Sequence, residues 1–267
     1  MKTRHLGSLV VSVVGLGTNN FGTDFFGKSC SVDDAVEIVS AALNAGVNFL
    51  DTAEEYSSRS RNGVGHSEQF IGEALRRLGT RREDVIIATK FTVGNVDAPD
   101  ERGARRITRA VEGSLARLGV DHIDLYQQHT ADRHTPIEET LTTLNDLVRQ
   151  GKVREIGCCN FSGEQLDRAR AASSEHELAR FVTSQSRYNV LEGPRQEDAL
   201  AGCVRNSMML LPYYPLANGL LTGKYGKDGT LPPGSRLAGQ SPISERIRSA
   251  VLTPRLIAQA GMLVTFA

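Results

Sequence analysis

The feature that most constrains this chain is an alternation of short apolar runs and longer amphipathic segments, sustained over most of its length. Runs at residues 11–15, 47–51, 85–88, 123–126, 153–158, 181–184 and 208–211 have the length and β-branched content of strands. Between them, residues 33–44, 67–78, 105–118, 136–149, 163–172 and 198–206 carry helical periodicity. Gly46, Gly79, Gly119 and Gly151 follow helical segments, Ser162 stands in a capping position, and Thr135 with Pro136 opens another helix. Strict alternation implies βαβ crossovers and a parallel sheet, either doubly wound or closed into a (β/α)8 barrel. A doubly wound dinucleotide fold needs Gly-x-Gly-x-x-Gly after its first strand. The chain has Gly15-Leu16-Gly17-Thr18-Asn19-Asn20, so the third glycine is missing. No charge run, low-complexity tract or Pro/Ser-rich linker divides the chain, and residues 1–267 are expected to form a single barrel domain.

Composition excludes some functions. Lys plus Arg and Asp plus Glu are 31 each, so there is no basic excess of the kind nucleic-acid binding uses. Cys30, Cys158, Cys159 and Cys203 show no Cys-x-x-Cys spacing, and no metal site is expected. Few cysteines, no signal-type apolar segment after Met1, and no run near the ~18 residues needed to span a bilayer point to a soluble cytoplasmic protein.

In a parallel barrel, chemistry sits at the carboxyl ends of the strands. The apolar runs here end, in order, in Asp51, Lys90, His129, Asn160, Gln185 and Tyr213, and Tyr56 follows Asp51 by five residues. One such residue alone is most often a solvated rim residue or a helix cap. Six successive strands ending this way converge on one rim. A tyrosine titrates near ~10 and becomes a usable acid when a cation stabilises its phenolate. Lys90 is placed to be that cation, with Asp51 holding it, while His129 would hydrogen-bond a carbonyl. Asn160 and Gln185 carry amides suited to gripping a carboxamide, and Tyr213 offers a ring for stacking. Phe21, Phe25 and Phe26 either line the mouth or pack the loop. Arg59 and Arg61 are expected to be solvated, the vicinal Cys158-Cys159 pair to have one member buried, and His66 to be structural.

At this point the chain resembles the aldo-keto reductases. The resemblance is carried by Phe49-Leu50-Asp51-Thr52-Ala53-Glu54-Glu55-Tyr56, Gly65-His66-Ser67-Glu68 with Ile71-Gly72-Glu73-Ala74-Leu75, and Ala88-Thr89-Lys90. It continues through Ile123-Asp124-Leu125-Tyr126-Gln127-Gln128-His129, the segment from Gly151 to Ser162, Gln185 with Tyr188-Asn189, and the stretch from Tyr213 to Tyr225. It covers residues from about 5 to 225. It implies a barrel reductase of aldehydes and ketones that uses NADPH, with NADH not excluded, acting on a small carbonyl substrate. In it Tyr56 is the general acid, with Asp51, Lys90 and His129 completing the set. Asn160 and Gln185 would bind the carboxamide, Tyr213 would stack on the nicotinamide, and Leu216, Asn218 and Leu220 would lie along the pyrophosphate.

The chain departs from that pattern at Cys159 and Tyr214, where serine is common, and at Asn218, where a basic residue is often found. Residues 226–235 read as a loop and 245–260 as a helix interrupted at Pro254. The last strand and helix of the barrel find no equivalent, so the barrel is expected to be incomplete, unless residues 262–267 supply a closing strand. Two functions follow: an NADPH-dependent carbonyl reductase, or a catalytically impaired family member acting as a binding or regulatory protein.

Overall fold

The computed structural model describes residues 1–23, 30–57, 64–92, 102–192, 197–225 and 230–266. Two short strands, β1 (Thr3–Leu6) and β2 (Leu9–Ser12), form an antiparallel hairpin turned at Gly7, whose φ of +60° suits glycine. Seven parallel strands follow in sequence order: β3 (Leu16–Gly17), β4 (Phe49–Asp51), β5 (Ile86–Phe91), β6 (Ile123–Gln128), β7 (Val153–Cys159), β8 (Phe181–Arg187) and β9 (Met209–Tyr213). The connecting helices are α1 (Val32–Asn44), α2 (His66–Leu78), α3 (Gly103–Leu118), α4 (Ile137–Arg149), α5 (Gly163–Glu175) and α6 (Glu197–Arg205). Each packs on the next, from α1 against α2 to α5 against α6. This is an α/β arrangement of the (β/α)8 type. Seven strands are paired, and β3 and β9 form the two edges among the described residues.

Strand parity produces two cores. Alternate residues of β5 face opposite ways: Ile86 and Ala88 join an inner cluster with Phe49, Leu125 and the hairpin residues Leu6, Leu9 and Val11. The hairpin therefore plugs one end of the barrel. Ile87 and Phe91 face outward and join Leu50, Ile123, Tyr126, Ile156, Cys158 and Phe181 against the helices. By the same parity Asp51 and Lys90 project inward, in step with Phe49 and Ala88, and a register shift between β7 and β8 after Phe181 turns Gln185 inward as well. Helix ends follow local chemistry. Ser31 and Ser162 form capping boxes with Asp34 and Gln165, and Gly79 and Gly119 close α2 and α3 in left-handed conformation.

The first apolar run is the main correction to the sequence reading. Residues 11–15 do not form the first barrel strand. Ser12 ends the hairpin, a bend follows, and the barrel starts at Leu16. The number of parallel strands is nonetheless the expected seven. At the other end, α7 (Pro242–Val251) and α8 (Pro254–Phe266) are separated just before Pro254. Residues 262–266 are helical, so no closing strand forms there. These two helices pack on the segment after β9 through Ala217, Leu220, Tyr225, Leu237, Val251 and Ala260. No helix among the described residues is long and apolar enough to cross a membrane.

Candidate active site

The inward residues at the carboxyl ends of β4 and β5 meet in one polar cluster. Lys90 is fully buried, and its Nζ donates to both carboxylate oxygens of Asp51 at 2.9 and 2.8 Å and to the Thr52 carbonyl at 2.6 Å. Its remaining reach is to the Tyr56 hydroxyl, at 3.1 Å. Gln185 on β8 closes the base by donating from Nε2 to Asp51 Oδ1 at 3.0 Å. An ammonium without partners would not survive such burial; here a carboxylate and a carbonyl compensate it. Burial disfavours the Lys90 charge, but the neighbouring Asp51 carboxylate outweighs this and its pKa rises.

Tyr56 does not follow the expectation of a lowered pKa. Burial pushes its phenol up to about 12, and Lys90, although adjacent, only opposes part of that rise. Tyr56 is therefore protonated at neutral pH. His129, just after β6, stands edge-on to the Tyr56 ring with centroids 5.8 Å apart. Burial, then repulsion by Lys90, push its pKa down to about 3, so the imidazole is neutral. Its Nδ1 lies 3.0 Å from Glu55 Oε1, without the geometry of a hydrogen bond.

Asn160 sits just past β7 in left-handed conformation (φ +59°), which asparagine tolerates. Its Oδ1 accepts from the Tyr213 hydroxyl at 2.9 Å, and its Nδ2 donates to the His129 carbonyl at 3.3 Å. Cys159 is buried, with Sγ 3.7 Å from Gln185 Oε1, and burial pushes its thiol up to about 12. Cys158, facing outward, is buried as well, so both members of the vicinal pair are inside, where one was expected.

A cavity of about 1170 Å³ opens over this cluster, lined by Asp51, Tyr56, His129, Asn160, Gln185 and Tyr213. It continues past Tyr214, Leu216 and Asn218 to Lys224 and Arg236, and it also runs between the β3 and β9 edges to Leu6 and Val11. Asp51, Lys90, His129, Asn160, Gln185 and Tyr213, expected on one rim, and Tyr56 in the loop after Asp51 are brought together by the fold, and Leu216 and Asn218, expected along the pyrophosphate, line the same cavity. Leu220 is different: its side chain is buried in the cluster under α7 and α8. Tyr214 lines the cavity with its ring packed edge-on to Tyr213 and under the Arg187 guanidinium, 5.4 Å from the ring centre.

The sequence reading missed two cations. Asn218 removes one basic group, but Arg236 Nη1 reaches Asn218 Oδ1 at 3.5 Å, and Lys224 lies on the same cavity wall. Lys224 was visible in Gly219-Leu220-Leu221-Thr222-Gly223-Lys224-Tyr225, whereas Arg236 follows a segment with no periodicity to place it. The buried Glu54–Arg106 pair was also missed, because Arg106 reads as a helix-surface residue. Phe21 is packing, not pocket lining: it is buried in the outer core. His66 starts α2 and stacks edge-on to Phe70. Phe25, Phe26, Arg59 and Arg61 lie outside the described residues. Among the described residues no group of acidic, histidine and cysteine side chains is arranged to hold a metal ion.

The aldo/keto reductase family profile matches residues 13–260. The oxidoreductase YrpG of Bacillus subtilis is 37% identical over 93% of this chain and 76% of its own length. The aldo-keto reductase YhdN of the same organism is 37% identical over 89% of this chain and 68% of its own. A probable voltage-gated potassium channel subunit beta of Arabidopsis thaliana is 33% identical, over 89% and 70% respectively. The parallel α/β sheet, the polar cluster at its carboxyl end and these matches agree, and the chain belongs to the aldo/keto reductase family.

Proposed function

We propose that this chain reduces an aldehyde or ketone to an alcohol with NADPH, Tyr56 acting as the general acid. The observation that carries the reading is the Lys90 ammonium held between the Asp51 carboxylate and the Tyr56 hydroxyl, beside a neutral His129, at the floor of one large cavity. The donor set fits a dinucleotide. The Asn160 and Gln185 amides and the Tyr213 ring stand at one end for a carboxamide and its ring, and Lys224 and Arg236 stand at the other for its phosphates. The choice of NADPH over NADH is supported by the family to which the chain belongs. When bound, such a cofactor supplies the hydride to the carbonyl carbon.

The protein's own groups do the rest. Tyr56 holds its proton at neutral pH and releases it to the carbonyl oxygen as negative charge develops there. The phenolate left behind lies within 3.1 Å of the Lys90 ammonium. That contact is worth more once charge has formed, so it favours the transition state over the ground state. A neutral imidazole at His129 polarises the carbonyl without competing for the proton. Asp51 keeps Lys90 charged and aimed.

Fluorescence titration of the folded chain with NADPH tests the cofactor assignment. Saturable binding in the micromolar range is expected, weakened roughly tenfold to a hundredfold by Lys224→Ala with Arg236→Ala, about 1.4 to 2.8 kcal/mol. A second reading, a binding protein without turnover, draws support from β3 and β9, which stand at the sheet edges among the described residues. A cooperatively folding chain that shows no saturable binding would overturn the reductase reading and put this one first.

A further inference from the structure

One buried carboxylate near the rim belongs to none of the roles above. Glu54 is 4% exposed and sits two residues before Tyr56. Its Oε1 accepts from the Thr92 backbone N–H at 2.6 Å and from the Thr92 hydroxyl at 3.0 Å. The same oxygen is paired with Nη2 of Arg106, itself 5% exposed, in the first turn of α3. The Glu54 backbone N–H donates to the Lys90 carbonyl at 3.1 Å. Thr92 stands two residues after Lys90, as Glu54 stands two before Tyr56. One carboxylate thus joins the loop that carries the acid, the strand that carries its cation, and a helix of the outer ring.

We infer that the Glu54–Arg106 ion pair is the positioning device that sets the Tyr56 hydroxyl against the Lys90 ammonium. This inference rests on the reading of Tyr56 as the acid. The physical argument is one of constraint. Tyr56 lies in a turn with no strand or helix of its own, its backbone N–H bonded to the Ala53 carbonyl at 3.2 Å. On its far side the Ser57 hydroxyl donates to the Phe21 carbonyl at 2.6 Å, so the Glu54 links are the tie that joins this turn to the strand carrying Lys90. A hydroxyl on such a turn holds a 3.1 Å contact only when the turn is tied down nearby. A buried, multiply bonded carboxylate ties more firmly than an exposed pair, because release would leave charges unpaired inside the protein. An error of an ångström in such a contact is enough to cost a large factor in rate. Neither residue touches the cavity, so their influence on chemistry runs through Tyr56 and Lys90.

The test separates positioning from plain stability. Glu54→Gln and Arg106→Met each strand one buried charge and are expected to lower both the melting temperature and kcat. The double variant strands none, so it regains most of the melting temperature while the ionic link to α3 stays broken, the amide oxygen at position 54 being still able to accept from Thr92. The expected result is a double variant with near wild-type Tm and cofactor Kd, and kcat down about tenfold or more, in line with the sensitivity of rate to placement. Wild-type kcat in the double variant, or kcat that simply tracks Tm across the set, would overturn the inference. Arg106→Lys keeps the charge and is expected to recover much of the activity lost in Arg106→Met; recovery of none would count against the tie even if the double variant failed to fold. Tyr56→Phe is measured in parallel. Activity that survives it overturns the acid assignment, whereas activity lost in Tyr56→Phe but kept in the double variant overturns only the tie. The Tyr56 ring resonance, assigned by difference from Tyr56→Phe, gives the same answer without turnover: it shifts in the double variant if the turn is released and stays put if it is not.

Discussion

Tyr56 illustrates why charge types alone do not settle a residue's chemistry. A lysine beside a phenol was legible from residues 56 and 90, and on its own it argues for a lowered pKa. Burial, which depends on everything packed around the ring, acts more strongly and pushes the phenol up to about 12. Removing the cation should expose that balance: Lys90→Met is expected to raise the Tyr56 pKa further and to cost roughly 3–5 kcal/mol by leaving Asp51 buried without its partner. Spectrophotometric titration and denaturant unfolding check the two effects. His129 carries a prediction about acid stability. Its folded pKa, about 3, lies below the ordinary histidine value, first through burial and then through Lys90. The unfolded chain therefore binds the proton more readily. The stabilisation from neutral His129 is fully present above pH ~6.5 and is lost as pH falls towards ~3, by up to a few kcal/mol. His129→Gln should flatten the pH dependence of stability in that window; an unchanged slope would contradict the assignment. Asp51, Lys90, His129 and Gln185 were readable because the end of an apolar run is a one-dimensional signal. Arg236, Arg106 and the inward turn of Leu220 were not, because each depends on where a loop or helix lies in space.

The elements fall into two groups by legibility. The helices of the ring were readable to within a few residues, since their apolar faces, capping serines and terminal glycines all agree. The start of the chain was not. The run from Leu9 to Gly17 has one polar residue, Ser12, and only the packing of Leu6, Leu9 and Val11 beneath the inner core assigns its first part to a hairpin and its end to β3. The glycine at position 72 shows how closely elements meet. A Cβ there would come within 2.5 Å of the Leu118 carbonyl oxygen, where α2 crosses the end of α3. Backbone cannot step aside as a side chain can, so Gly72→Ala is expected to destabilise by ~1–3 kcal/mol in thermal or denaturant unfolding. The strands differ in exposure as well. The amides of β3 and β9, at the sheet edges, are expected to exchange with solvent at least ~10 times faster than those of β6 and β7, which are paired on both sides. Equal protection across the sheet would mean that the edges are covered.

At the scale of the whole molecule, the seven parallel strands form a curled sheet with its polar cluster at the carboxyl ends. The cavity over that cluster is continuous with the space between β3 and β9. The seven parallel strands were expected from the alternation, the barrel type was implied by the resemblance, and the helix through residues 262–266 rules out the closing strand that had remained an alternative there. The reach of the cavity from Tyr56 to Lys224 and Arg236 was not expected, because those two basic residues belong to no repeating pattern. In the proposed reaction this arrangement transfers Tyr56's proton to a carbonyl while NADPH is oxidised. The most direct measurement is single-turnover reduction of an aromatic aldehyde by NADPH, with the chain in excess, for the wild type and for Tyr56→Phe. NADPH oxidation with matching alcohol formation is expected in the wild type. The rate in Tyr56→Phe is expected to be at least ~100-fold lower at unchanged cofactor affinity, the loss that follows removal of a general acid. Equal rates in the two proteins, or no turnover by a wild type that binds NADPH, would contradict the proposed reaction.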